Sequence, residues 1–280
     1  MPDPARLLKT LKQATAAFRA TRGLTGRVVT LHDAADVIVV GDLHGNLTNF
    51  QAAMKLADLA AHPRRHLVLQ EVIHGKNRYP GGGDKSHQLL DLVAALKCQF
   101  PDRVHFLPGN HELAQVSGRS IAKDDTDYNA SFIEGVQTAY GGQADEVYAC
   151  YLDLIAAAPL VVRTANRVFV SHSLPSAVKL PRFRYDDLLR ETRPEDLEST
   201  GSAYALVWGR DLRSEHVTEF LKLVDADWLV TGHIPCDTGV WSPNERQVVL
   251  DAMQSPAGYC LFPADRSLTH AELLAHSGLL

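Results

Sequence analysis

Between residues 36 and 107 the chain alternates strand-like and helix-like stretches, and that alternation restricts it to an α/β sheet. The strand-like runs are 36–41, His66-Leu67-Val68-Leu69 and 103–107. Asn46 stands where it can cap a helix that carries Leu47, Phe50, Met54 and Ala57 on one face. A second amphipathic stretch, 84–98, turns Leu89, Leu92, Val93 and Leu96 inward. A β-α-β-α-β run with connections this short predicts parallel strands and right-handed crossovers.

The rest of the chain extends that frame. A helical stripe of Leu7, Leu8, Leu11, Ala14 and Phe18 covers 5–21. Residues 74–83 form a polar loop that Pro80-Gly81-Gly82-Gly83 breaks. Residues 113–158 read as mostly helical, interrupted near Gly141-Gly142, and 176–205 read as irregular. Strands are expected at 160–163, 167–171, 228–231, 247–251 and 258–262, with a helix over 213–224. An α/β half followed by a β-rich half predicts two packed sheets flanked by helices. With no repeat and no linker, 1–280 reads as one domain with cap-like segments near 113–158 and 176–212.

Four clusters of metal-ligand residue types sit where apolar runs end: Gly41-Asp42-Leu43-His44-Gly45-Asn46, Gly109-Asn110-His111-Glu112, Ser171-His172 and Gly232-His233. Sheets of this kind place ligand sites at the carboxyl ends of their strands, so clusters distant in sequence can meet in space. Asp42 and His44 are two residues apart, which on extended backbone points both to one face. Asn110 and His111 are adjacent, which on extended backbone sends them to opposite sides. Asn110 therefore reads as a ligand and His111 as an acid/base group. Asp, Asn and His together suit a divalent Mn, Fe or Zn ion.

Composition excludes several alternatives. A net charge of −5 gives no basic field for nucleic acid. The first residues, MPDPARLLKTLKQ, lack the apolar core of a signal peptide, and no apolar run approaches the ~20 residues of a membrane span. Cys98, Cys150, Cys236 and Cys260 form no CxxC pair and are expected as reduced thiols in a cytoplasmic protein.

Taken in order, Gly41-Asp42-x-His44-Gly45, Gly109-Asn110-His111-Glu112, His172 and Gly232-His233 resemble the calcineurin-like metallophosphoesterases. They are most similar to the phosphoprotein phosphatase branch, whose paired hallmarks are GDxHG and GNHE. The resemblance implies a four-layer α-β-β-α sandwich of two mixed sheets flanked by helices, with two metals at the sheet edge. By position, Asp42 and His44 would hold the first ion, and Asn110, His172 and His233 the second. A carboxylate would bridge both, and His111 would protonate the leaving oxygen.

The family's bridging Asp sits in a GDxxDRG motif that this chain lacks. Glu71, directly after the strand His66–Leu69, keeps the carboxylate with one more methylene and is the expected bridge. The remainder of the motif is displaced to Gly83-Asp84-Lys85-Ser86, beyond an insertion of about ten residues. Asp84 is the candidate to orient His111, with His74 as its rival in an ungapped alignment. Lys85 and Arg210, in Trp208-Gly209-Arg210-Asp211, are candidates for phosphate contact. The implied reaction is phosphoester hydrolysis by a hydroxide activated between two metals, on phosphoserine or phosphothreonine in proteins or on a small phosphoester. A dinucleoside polyphosphate hydrolase and a degenerate, non-catalytic phospholigand-binding module are the competing readings.

Overall fold

Asp3 accepts hydrogen bonds from the Ala5 and Arg6 amides, with Pro4 at the first helical position. That cap opens the first element of the computed structural model, which describes residues 3–123 and 126–280. The elements run α1 (Pro4–Arg19), β1 (Leu24–Thr25), β2 (Val28–Leu31), β3 (Asp36–Asp42), α2 (Leu47–Ala57), β4 (Arg65–Gln70), β5 (Arg78–Tyr79), β6 (Gly82–Asp84), α3 (His87–Gln99) and β7 (Val104–Leu107). There follow α4 (Asn110–Ser117), β8 (Ala122–Lys123), β9 (Thr126–Asp127), α5 (Tyr128–Tyr140), α6 (Ala144–Ala157), β10 (Val161–Thr164) and β11 (Val168–Ser171). The chain ends with α7 (Ser202–Trp208), α8 (Ser214–Leu223), β12 (Trp228–Thr231), β13 (Val240–Asn244), β14 (Gln247–Leu250), β15 (Gly258–Pro263), α9 (His270–Ala275) and β16 (Ser277–Leu279).

Two mixed sheets carry the fold. One has the order β16-β15-β3-β4-β7, and the other β1-β2-β10-β11-β12-β14-β13. Pairing of β3 with β4 and of β4 with β7 is parallel, as the short βαβ units require. Along β3, Val37 and Val39 enter a core shared with Val162, Val170, Val230 and Val248 of the other sheet. Ile38 and Val40 turn the other way, onto the layer of α1, α2, α3, α5 and α6. The second sheet buries Val161, Phe169 and Leu229 under Leu206, Val217 and Phe220 of α7 and α8. Each central strand is thus apolar on both faces, which explains continuous rather than alternating apolar runs. The result is the expected four-layer α-β-β-α arrangement.

To the elements anticipated from sequence the structure adds the short strands β1, β2, β5, β6, β8, β9, β13 and β16, and the helices α7 and α9, the first of them ending a stretch read as irregular. It also changes the setting of the second cluster. Asn110 and His111 open helix α4 and do not continue an extended strand. Their side chains diverge because successive helical residues turn by about 100°. In the helical layer α6 packs against α1, and α5 packs against β6 and α6. Within the polar loop, β5 and β6 form a small hairpin. The four cysteines are unpaired, and among the described residues no helix is long and apolar enough to cross a membrane.

Candidate metal centre

Five chain segments deliver the candidate ligands from the carboxyl ends of strands in both sheets. Asp42 ends β3, Glu71 follows β4, Asn110 follows β7, and His172 and His233 follow β11 and β12. The first two loops are zipped together. The Leu43 and His44 amides donate to Glu71 O at 2.9 and 3.0 Å, and the Gly45 amide donates to Val72 O at 2.8 Å. Glu112, fully buried, clamps the next pair. One carboxylate oxygen accepts from the Val72 and Ile73 amides at 2.7 and 3.0 Å, and the other accepts from Gly109 at 2.8 Å. Burial, with Glu71 nearby, raises its pKa to about 7.

Glu71 reaches both halves of the site. Its Oε2 lies 3.0 Å from His44 Nε2, and its Oε1 lies 3.6 Å from His172 Nε2. The same Oε1 accepts from the His111 amide at 2.9 Å. His172 Nε2 is 3.1 Å from Asn110 Oδ1 and 3.1 Å from His233 Nδ1. Asp42 Oδ1 faces His172 Nδ1 at 3.4 Å, while Oδ2 accepts from the His233 amide at 2.6 Å. Cations with ligand bonds of about 2.1 Å space their donors roughly 3.0–3.4 Å apart, a range that holds the Glu71–His44, Asn110–His172, His172–His233 and Asp42–His172 separations.

Three further observations fit divalent cations. Asp42 Oδ1 and His172 Nδ1 are buried without a hydrogen-bond partner. The two buried carboxylates demand positive charge: against the opposing effect of burial, they raise His44 to about 10 and His172 to about 8. Two glycines cradle the ligands. A Cβ on Gly232 would stand 2.1 Å from Asp42 Oδ1, and one on Gly109 would stand 2.1 Å from Glu71 Oε1. Among the described residues, ligand atoms of His44, Glu71 and His111 gather within 4.8 Å of one another, as do those of Asp42, Glu71 and His172, so Glu71 is common to both groups.

His111 lies at the rim, its ring edge-on to His44 at 4.9 Å between centroids. Burial, with His44, His172 and Arg210 nearby, lowers its pKa to about 4. Arg210 Nε sits 3.1 Å from His233 Nε2, which brings this arginine to the site. Asp84 and Lys85 are not brought to it as expected. The Asp84 carboxylate accepts from the Gly75 amide at 3.0 Å and from the Ser86 amide and hydroxyl at 2.8 and 2.9 Å, and it makes no contact with His111. At the end of the β5–β6 hairpin, Asp84 is turned toward its own loop. Lys85 lies over the Tyr79 ring at 5.0 Å. The partner of His111 Nδ1 is His74 Nδ1, at 2.8 Å. Sequence reading does not single out Gln115, Tyr128 or Tyr148, which surround that pair from α4, α5 and α6. A separate cleft of about 660 Å³, lined by Arg22, Asp33, Arg64, His66, Asp102 and Arg103, lies at the opposite ends of the strands.

Comparisons with known proteins agree with this arrangement. A serine/threonine phosphatase structure from Saccharomyces cerevisiae superposes with a TM-score of 0.69 at 15% identity, covering 93% of this chain and 82% of that one. A cold-active protein-tyrosine phosphatase of a psychrophilic Shewanella gives 0.60 at 14% identity, covering 85% of this chain and 78% of that one. At such identities the likeness concerns the fold. A probable serine/threonine-protein phosphatase of Encephalitozoon cuniculi is 26% identical over 229 residues, 76% of this chain and 45% of the relative. A PP2A-like serine/threonine-protein phosphatase of Candida albicans is 27% identical over 211 residues, 73% of this chain and 44% of the relative. The chain thus spans under half the length of these two relatives. Residues 35–237 match the family model of the calcineurin-like phosphoesterases, and the chain belongs to that family.

Proposed function

We propose that this chain is a metal-dependent phosphoric ester hydrolase that acts on phosphoserine or phosphothreonine in proteins. The observation that carries the proposal is the convergence of Asp42, His44, Glu71, Asn110, His172 and His233 beside His111. The serine/threonine phosphatases among its relatives favour that substrate class. Two divalent cations of Mn, Fe or Zn type would be held by these ligands, with Glu71 common to both. When bound, such a pair supplies Lewis acidity to phosphoryl oxygens and lowers the pKa of water.

The protein side chains supply the rest. Arg210, exposed and next to His233, donates to a phosphoryl oxygen and offsets its charge. His111 gives a proton to the departing ester oxygen. Glu71 fixes the His111 backbone through its amide, so one carboxylate sets the spacing between ligands and acid.

The test is a substrate panel with Mn²⁺: an aryl phosphate, phosphoserine, phosphothreonine and phosphotyrosine peptides, and a dinucleoside tetraphosphate. Hydrolysis of the serine and threonine peptides is expected, with losses of about 100-fold or more in Asp42→Ala and His111→Ala proteins. Undiminished activity in either variant would overturn the site. A preference for the dinucleotide would overturn the substrate class. Binding of fewer than two ions without turnover would identify a non-catalytic phospholigand module.

A further inference from the structure

We propose that His74 positions His111 for proton delivery, in the place where the family uses a carboxylate, and that Gln115 and Tyr148 hold His74 in the tautomer this requires. The proposal rests on the hydrolase reading above and concerns the same site.

With the Gln115 amide oriented as it stands, the hydrogen bonds set the protons in sequence. Gln115 Nε2 donates to Tyr148 Oη at 2.7 Å, which leaves Gln115 Oε1 facing His74 Nε2 at 3.0 Å. An amide oxygen only accepts, so His74 Nε2 carries a proton. His74 Nδ1 then presents a lone pair to His111 Nδ1, 2.8 Å away, and His111 Nδ1 donates. His111 Nε2 remains as the nitrogen that exchanges a proton with substrate. A neutral acceptor thus orients the acid, and the side chain that fixes its tautomer comes from α4, with Tyr148 behind it on α6.

His74 is built to stay there. It is 5% exposed, stacks on Tyr128 with ring centroids 5.6 Å apart, and meets the edge of Phe132 at 5.9 Å. Its backbone is left-handed, at φ 61°. The His74 amide donates to Ser86 Oγ at 2.9 Å, and Ser86 Oγ donates to Asp84 Oδ2 at 2.9 Å. Asp84 therefore serves His111 at one remove, by holding the loop that carries His74.

The step balances without a further reactant. Water adds its oxygen to phosphorus, and the bond from phosphorus to the ester oxygen breaks. His111 Nε2 takes up the proton released from water and passes it to the departing oxygen, so His111 begins and ends neutral. His111 keeps its Nδ1 proton, bonded to His74, throughout.

The experiment compares kcat and KM on 2,4-dinitrophenyl, 4-nitrophenyl and phenyl phosphate for Mn²⁺-loaded wild type, His74→Leu and His74→Asn. A misplaced acid matters more as the leaving oxygen becomes more basic. The loss of kcat in His74→Leu is expected to be about 100-fold greater on phenyl than on dinitrophenyl phosphate, with KM little changed. Asn offers an oxygen where His74 has Nδ1, so His74→Asn is expected to recover about tenfold or more of the phenyl phosphate loss. An equal loss on all three substrates, or no loss, would make His74 a packing residue and overturn the proposal. Ring-nitrogen NMR of the Zn²⁺-loaded chain reads the same bonds without turnover. It is expected to find His74 protonated on Nε2 and His111 on Nδ1. The opposite tautomers would overturn the proposal even in a protein that hydrolyses nothing, an outcome that would separately refute the hydrolase reading.

Discussion

Glu71→Asp restores the residue the family uses as bridge, and the structure predicts that it harms this protein. Removing one methylene withdraws the carboxylate by about 1.5 Å, the length of a C–C bond. The present contacts have no such slack. Oε2 is 3.0 Å from His44 Nε2, and Oε1 is 2.9 Å from the His111 amide. After retraction both would exceed hydrogen-bond or ligand distance unless the backbone advanced. The loop cannot easily advance, because Glu112 holds the Val72 and Ile73 amides and the residue 43–45 amides bond Glu71 and Val72 O. Loss of the charge-assisted bond to His111 alone costs about 1.5–3 kcal/mol. A misplacement of this size at a reacting centre lowers turnover by about 100-fold. The assay pairs calorimetric Mn²⁺ titration with kcat on 4-nitrophenyl phosphate for wild type, Glu71→Asp and Glu71→Gln. Glu71→Asp is expected to bind one ion at least tenfold more weakly and to lose about 100-fold in kcat. Glu71→Gln is expected to do worse, since its amide cannot neutralise two cations. Two tightly bound ions and wild-type turnover in Glu71→Asp would refute the assignment of Glu71 as a fitted bridge.

Further outcomes follow from packing and charge. Gly232→Ala would press a methyl group to 2.1 Å from Asp42 Oδ1 and displace that ligand, so weaker Mn²⁺ binding is expected by calorimetry, with helix content unchanged by circular dichroism. Lys97 is fully buried, bonded to Thr21 Oγ1 and the carbonyls of Pro101 and Val104, and its desolvation lowers the pKa from 10.5 to about 7. Between those values the unfolded chain binds the extra proton, so wild-type stability rises with pH in that window. From pH 7 to pH 9 denaturant unfolding should show wild type gaining about 2 kcal/mol relative to Lys97→Met, and parallel curves would refute the buried charge.

The ligand clusters were legible because each lies within a few residues of a strand end, and strand ends are what the apolar runs of this chain mark. Glu71 is singled out on the same basis, although its motif is absent. Asp84 could not be placed. Its setting depends on how the β5–β6 hairpin redirects the chain, and short hairpins rich in Gly carry no register signal. Gln115, Tyr128 and Tyr148 were invisible as a group. They lie 41, 54 and 74 residues from His74 and meet it only because α4, α5 and α6 pack side by side. Two of the missed strands show why. β13 is an edge strand containing Pro243, and β16 has three residues. Neither builds an apolar pattern long enough to read.

Backbone conformation links the readable part of the site to the unreadable part. His44, Glu71, His74 and His233 have φ of 42°, 33°, 61° and 67°, a left-handed region that side chains with a Cβ avoid. Each such residue costs on the order of 1–3 kcal/mol. Three of the four are candidate ligands, and each turns the chain sharply just past a strand so that its side chain points back across the sheet edge. His74 shares the conformation without being a ligand. A buried histidine kept only for packing gains nothing from that strain, since an extended loop would bury an apolar side chain at lower cost. The strain is intelligible if the position serves the ring of His111, as the ligand positions serve the cations. On this view the β5–β6 hairpin keeps Asp84 bonded within its own loop, and the left-handed turn at His74 sets an acceptor against His111 Nδ1.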